Sequence, residues 1–413
     1  MSEAPTGSSL SVSVLSDLTE LERLRSEWEQ LLERSGGRYP SLTPTWAIAW
    51  WRVFGPGGGR RLRALVVRDG REMVGLMLLV ARRSLYRRVL PMQRLEILAS
   101  GEDQVDEIYS EYLGPIAVSG REEEVVAALV RHLDDDRESW HEIVLTALDE
   151  QSLGVRALEP AFRARGLACE SQVIAKCPFI ALPKRWDDYL AALSTDNRYM
   201  VRRSLRDFER WAGKSWKVEV AKTHEDLVRG KAILQRLHEH RWKSGGIDGA
   251  FSSSLFSRFH DLVMPELLYR GALDLRWLVV NGEPIAASYC VAHDNRLYYV
   301  QGGRATDVPK GVRPGIVLHL YTLRAAIEAG RLEYDFLGGD ARYKDQLATS
   351  VRSLIELRVM RPSLPNTMRG AVEASRKMYL RALSMLRTAQ AKRATPIAVD
   401  TSAAPTEPRP DPG

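Results

Sequence analysis

The most chemically telling spacing in the chain lies at a loop-to-helix junction, VPKGVRPGIVLHL, residues 308–320. The N–H groups of Gly315, Ile316 and Val317 begin a helix and suit an anion such as a pyrophosphate. Gly311 and Gly315 permit close backbone approach, Pro314 removes one donor, and Arg313 adds positive charge. Further along, the run GGDARYK places Asp340, Tyr343 and Lys344 in a polar loop. Gly338 and Gly339 allow a sharp turn that aims those side chains back toward the junction.

Three β-type runs precede the junction: Leu273–Val280, Pro284–Ala292 and Arg296–Gly302. Asn281-Gly282 predicts a type I′ hairpin between the first two, and His293-Asp294-Asn295 a second turn. Tyr298 and Gln301 fall on the third strand, at the edge of the expected cleft. A short strand, Leu332–Leu337, follows the helix and is predicted to run parallel to that third strand, because a helical crossover joins them.

The first half repeats this order. Helices at Glu20–Glu33 and Ser41–Phe54 lead to a hairpin turning at Asp69-Gly70, and helices and strands follow. Trp46, Trp50 and Phe54 share one helical face and are expected in the core. Two halves with one order of elements suggest duplication of an αβ unit. Early in the second half, the predicted helix Asn197–Ala212 carries Arg198, Arg202, Arg206 and Arg210 at i+4 spacing, a basic ridge. It is either a solvated face or an anion-binding one. Helix Glu225–Trp242 ends with His238, Glu239, His240 and Arg241. Histidines two apart do not form a zinc pair, so no metal is expected. Strand Val351–Met360 is expected to close the sheet.

The chain has 413 residues, 45% of them hydrophobic, and a formal net charge of +6. That supports a sizeable core and fits an anionic ligand. Cys169, Cys177 and Cys290 lack metal-ligand spacing, and so sparse a count fits a reducing compartment. The start MSEAPTGSS lacks the basic and apolar regions of a signal peptide, and the longest apolar run, Met73–Ala81, is too short to cross a bilayer. A cytoplasmic protein with no membrane insertion is expected.

The ordered strings TPTWAIAWWRVFG, NRYMVRRSLRDFER, LHEHRW, NGEPIAASYCV, RPGIVLHLYTLRAAIEAG and YDFLGGDARYK resemble the CelD-like branch of the GNAT superfamily, related to the FemAB peptidyltransferases. The resemblance covers about residues 10 to 362. It implies an α/β (α+β) fold of two tandem GNAT-like domains, each a mixed, mostly antiparallel sheet flanked by helices. Residues 11–177 and 178–362 are then the two domains, 363–390 a helical extension, and 1–10 and 391–413 disordered tails.

The resemblance further implies an N-acyltransferase with acetyl-CoA or another acyl-CoA as co-substrate. Its acceptor would be a small-molecule or saccharide amine, in polysaccharide or envelope metabolism. Gly311, Arg313, Gly315, Ile316 and Val317 would hold the donor. The donor loop departs from the usual GNAT pattern at Pro314. Arg202, His238, Arg241, Tyr298 and Gln301 would face substrate. Tyr343 would protonate the leaving thiolate, Lys344 stabilise the oxyanion or hold an anionic acceptor, and Asp340 accept a proton or merely pair with Arg342. The alternatives are a FemAB-like transferase using aminoacyl-tRNA, the one case in which nucleic acid would bind, and a non-catalytic scaffold.

Overall fold

A computed structural model describes residues 10–393 apart from 38, 57, 87, 88, 244, 245, 247 and 310. The expected tails therefore lie outside the described residues, except Leu10 and residues 391–393. Lys310 of the donor loop also lies outside them.

Strand β1 (Ser11–Leu15) leads to helices α1 (Leu18–Arg23), α2 (Arg25–Ser35) and α3 (Pro44–Phe54). A meander follows: β2 (Arg61–Asp69), β3 (Glu72–Tyr86) and β4 (Leu90–Ile97). After the short β5 (Ile116–Ala117) come α4 (Glu122–Asp135), β6 (Glu142–Asp149), α5 (Glu159–Ala164) and β7 (Ala168–Ala181). Two helices, α6 (Trp186–Ala192) and α7 (Thr195–Ala212), join this set to the next.

The order then recurs. Strand β8 (Trp216–Val220) precedes α8 (His224–Lys243) and α9 (Ser254–Tyr269). The second meander is β9 (Leu273–Val280), β10 (Glu283–His293) and β11 (Arg296–Arg304). Then come α10 (Pro314–Glu328), β12 (Glu333–Asp335), α11 (Arg342–Leu347) and β13 (Ser350–Met360). In each repeat the strand after the long helix runs parallel to the third meander strand, β6 beside β4 and β12 beside β11.

The repeats exchange their last strands. The sheet order is β1-β2-β3-β4-β6-β13-β7-β12-β11-β10-β9-β8, with β5 beside β3. Strand β13 therefore does not close an edge, as the sequence suggested, but lies at the centre between β6 and β7. Burying both neighbours' backbone groups in one ladder satisfies polar groups that an edge would leave open. The sequence boundary between 177 and 178 falls inside β7, which pairs with β12 of the second repeat. One compact unit runs to Pro362. A second begins at Ser363 and holds helix α12 (Leu364–Arg393).

The Asn281-Gly282 turn has the two positive φ angles its hairpin requires, 50° and 87°. Trp46, Trp50 and Phe54 are buried in the main core, and Trp46 meets Phe259 of α9 edge to face at 4.9 Å. The stripe thus joins the two repeats through side-chain burial.

Candidate active site

The pairing of β11 with β12 spans Arg296–Tyr298 and Glu333–Asp335 and stops there. Beyond it the two strands diverge, and a cavity of about 330 Å³ opens beside them. Its walls are β10 (Ala287, Ser288), β11 (Tyr299, Gly302, Gly303, Arg304), the end of α8, the start of α10, and Tyr343. A register shift opposite Tyr289 and Cys290 leaves Val300 unmatched on β11. Such a bulge breaks the ladder and frees backbone groups next to the cavity.

Electrostatically the cavity is one-sided. Arg241, Arg304 and Arg313 line it, and no carboxylate does among the described lining residues. Burial lowers the Arg304 pKa, and the nearby Arg241 guanidinium lowers it further. Three arginines gathered around one cavity suit an anionic ligand. Helix α10 points its start into the same space, with no acidic residue in its first turn and no side-chain cap. The first-turn N–H groups of Gly315 and Ile316 add to the positive end of the helix dipole.

The equivalent helix of the first repeat is built oppositely. Helix α4 begins with Glu122, Glu123 and Glu124. Three carboxylates at a helix start stabilise the helix but repel an anion. The start of α10 is therefore the better suited of the two to an anion.

The sequence-derived residues divide by this geometry. Arg313, Gly315 and Ile316 line the cavity, as do Arg241 and Tyr343. Val317 is fully buried, and its N–H bonds the Arg313 carbonyl at 3.0 Å. Gly311 has φ of 103° and lies outside the cavity lining, next to Val312, which lines it. Asp340 is exposed in the loop after β12. Arg202 is exposed on α7, whereas Arg198 of the same ridge bonds the Leu190 and Leu193 carbonyls at 2.8 and 3.0 Å.

His238 is a positioning residue. It accepts the Ala250 N–H at Nε2 (3.1 Å), so Nδ1 carries the proton and donates to the Gly302 carbonyl at 3.1 Å. Burial lowers its pKa, which keeps the ring neutral. Both nitrogens are used, and the ring ties α8 to β11 one turn before Arg241. Gln301 is half-buried, and its Oε1 accepts the Gly302 N–H at 3.2 Å. Tyr298 points to the opposite face from Tyr299, into a cluster with Tyr39, Tyr112, Cys177 and Leu354.

Lys344 is only 7% exposed and lies away from the cavity lining. Its Nζ donates to the carbonyls of Phe336 (2.9 Å), Leu337 (3.4 Å) and Gly338. It closes the end of β12 rather than offering a free charge.

Four cavity residues with polar side chains were not singled out in the sequence: Ser288, Tyr299, Arg304 and His319. His319 stands four residues after Gly315, on the same helical face, and is the lone polar side chain in the run GIVLHL. Its Nδ1 pairs with the Tyr334 hydroxyl at 2.9 Å. Burial, with Lys344 and Arg241 nearby, pushes its pKa down to about 3. It is therefore a neutral imidazole at physiological pH. The Ser288 hydroxyl at the cavity wall is buried without a hydrogen-bond partner.

Residues 195–345 match the family model Acetyltransf_6, described as an acetyltransferase (GNAT) domain. No curated protein matches the chain in sequence. Among solved structures, FemX superposes with a TM-score of 0.56 at 13% identity, covering 84% of this chain and 98% of its own. The C-terminal domain (DUF2156) of a putative lysylphosphatidylglycerol synthetase from Agrobacterium fabrum gives 0.48 at 11% identity, covering 84% and 96%. A tandem GNAT protein from the clavulanic acid biosynthesis pathway gives 0.43 at 15% identity, covering 86% and 99%. The likeness to FemX shows a shared fold across both repeats, and the segment similar to the GNAT acetyltransferase model encloses the meander, the cavity and helix α10.

Proposed function

We propose that the second repeat transfers an acyl group from an acyl-CoA thioester to the amine of a polar acceptor. The observation that carries this reading is the cavity itself. Three arginines and an open helix start surround it with no carboxylate among its described lining residues, beside a bulged strand and two tyrosine hydroxyls. The arginines and Gly315–Ile316 would hold the phosphates of the donor, and the thioester arm would pass toward Tyr299 and Tyr343. Backbone groups freed at the Val300 bulge suit the developing oxyanion. The Tyr343 hydroxyl, kept protonated by burial, suits the leaving thiolate.

The motif order favours a CelD-like assignment and an amino-sugar or amino-acid acceptor in envelope or polysaccharide metabolism. Binding of aminoacyl-tRNA is less well supported. On α7, Arg203 and Arg206 both approach Asp207, and Arg198 caps α6, so the ridge is partly spent on the fold.

Calorimetry with acetyl-CoA, longer acyl-CoAs and transfer RNA tests the reading. Saturable binding of an acyl-CoA, lost in Arg304→Ala, supports it. Binding of transfer RNA alone would replace it with the FemAB-like alternative.

A further inference from the structure

The two repeats treat their strand gap differently. In the first, β4 and β6 pair over Arg94–Glu96 and Glu142–Val144 and then diverge. The segment 108–117 fills that gap: Leu113 donates its N–H to the Ala147 carbonyl at 3.0 Å and bridges Leu148, and Ile116 and Ala117 pair with β3. The same segment reaches across to the second repeat. The Tyr112 hydroxyl donates to Asp335 Oδ2 at 2.7 Å. Glu111 Oε1 accepts the Gly338 N–H at 3.0 Å, at the point where β12 leaves β11.

This reach is built, not incidental. Tyr109, Tyr112 and Leu337 hold left-handed φ angles of 56°, 61° and 54°. Each costs on the order of 1 kcal/mol for a side-chain-bearing residue, so the surrounding packing must enforce it. Ser41 fixes the Glu111 carbonyl at 2.6 Å. Glu111 itself is 8% exposed, and its Oε2 has no hydrogen-bond partner. Tyr112 packs with Tyr298, on the face of β11 opposite the cavity-lining Tyr299. Glu111 thus approaches the gap from the side opposite the donor cavity.

We propose that Glu111, supplied by the first repeat, is the general base for the second repeat's reaction and marks the side from which the acceptor amine enters. The inference rests on the acyl-transfer reading above. An acceptor ammonium gives one proton to the Glu111 carboxylate. The neutral amine attacks the thioester carbonyl, forming the C–N bond. The C–S bond then breaks, and the thiolate takes the Tyr343 proton. The amide nitrogen's second proton restores the Tyr343 hydroxyl, and Glu111 returns its proton to solvent.

The surroundings suit the role. Burial lifts the Glu111 pKa well above the usual carboxylate range, opposed by the Gly338 N–H and Lys344 of α11 and reinforced by Asp335 of β12. Cys177 of β7 and Tyr109 of its own loop also face it, and Arg352 of β13 lies one contact away, bound to Asp335. A carboxylate with raised basicity can take a proton from an ammonium near neutral pH.

The test measures acyl transfer by the full chain, Glu111→Gln and Glu111→Asp, from about pH 6 to about pH 9, alongside acyl-CoA calorimetry. Glutamine can keep the Gly338 bond but cannot take a proton. The expected result is a kcat/KM for E111Q lowered about 100-fold or more. Its alkaline-rising limb should be lost, donor affinity should be unchanged, and E111D should recover part of the rate. An E111Q protein that loses rate equally at every pH, or none at all, while the parent transfers acyl groups, overturns the role of Glu111. A parent protein that binds no acyl-CoA overturns the acyl-transfer reading and this inference with it.

Discussion

The Tyr343 ring stacks on His319, with centroids 5.2 Å apart and planes 25° apart, and the Tyr343 and Tyr299 hydroxyls hydrogen-bond each other. The stack joins a loop residue to helix α10 and fixes the hydroxyl at the cavity. Because His319 is neutral, the stack adds no charge that would draw the proton off Tyr343. Tyr343→Phe keeps the ring contact and removes only the hydroxyl. It should lower kcat about tenfold or more and leave the acyl-CoA Kd unchanged. Steady-state kinetics with calorimetry would check this, and an unchanged kcat would remove Tyr343 from the chemistry.

Lys344 behaves otherwise. Its ammonium is buried among three strand-end carbonyls beside Glu111, whose charge helps hold its proton against the cost of burial. Lys344→Met would leave those carbonyls without their donor and Glu111 without its cation. A loss of about 2–4 kcal/mol in stability is expected. The sequence places Lys344 in a polar loop, and were that loop exposed the substitution would be nearly neutral for folding. A melting temperature equal to the parent's would restore that view.

Arg241 lowers the Arg304 pKa at the cavity wall, and a bound anion would offset that repulsion. Arg304→Ala should therefore weaken acyl-CoA binding about tenfold or more, and Arg313→Glu at the helix start should weaken it further. Both variants should show a shallower dependence of affinity on salt than the parent. Calorimetry at two ionic strengths measures this, and parent-like affinity in both variants would move the donor site elsewhere.

His260 is fully buried among Trp46, Phe256, Phe259 and Tyr289, and neither ring nitrogen has a hydrogen-bond partner. Burial, with Lys231 nearby, lowers its pKa from 6.5 to about 3. Above pH 6.5 both native and unfolded forms are neutral. As pH falls below 6.5 the unfolded chain binds a proton that the native ring refuses, so stability drops until about pH 3. His319 adds a second contribution of the same sign. Asp335 opposes them: burial raises its pKa from 3.8 to about 7, so its contribution fades as pH rises through that range. His260→Phe should raise stability at neutral pH by about 1 kcal/mol and flatten the acid side. Urea titrations of both proteins over this range isolate the term, and parallel curves would refute it.

How much of this was legible depended on range. The Asn281-Gly282 turn, the helix opening at Pro314 and the parallel return strand β12 follow from local chemistry, and the structure has them. The exchange of β7 and β13 does not, because nothing in either strand's pattern names a partner in the other repeat. Alternation also misleads near the site. Reading β11 with period two separates Tyr299 from Gly302, yet both line the cavity, because Val300 is an extra residue between them. Glu111 carried no signal at all, since its environment comes from the other repeat.

Gly303 offers a test of how the site is held. A Cβ built there would lie 2.4 Å from the His238 nitrogen and 2.7 Å from the Leu237 carbonyl carbon, both backbone atoms of α8. No side-chain rotation relieves that contact, so Gly303→Ala must push α8 off β11. The His238 bond to the Gly302 carbonyl would lengthen, and Arg241, on the same helix, would leave its place in the cavity. Gly315 differs. Its Cβ would meet the Arg304 Cδ at 3.5 Å, an ordinary contact, and a helix start tolerates alanine. Gly303→Ala should cost about 1–3 kcal/mol and weaken the donor together with stability. Gly315→Ala should leave the melting temperature near the parent's while weakening the donor, because only the approach of a ligand to the backbone is hindered. If Gly315→Ala binds acyl-CoA as the parent does, the donor does not reach the start of α10, and the phosphates must rest on the arginines alone.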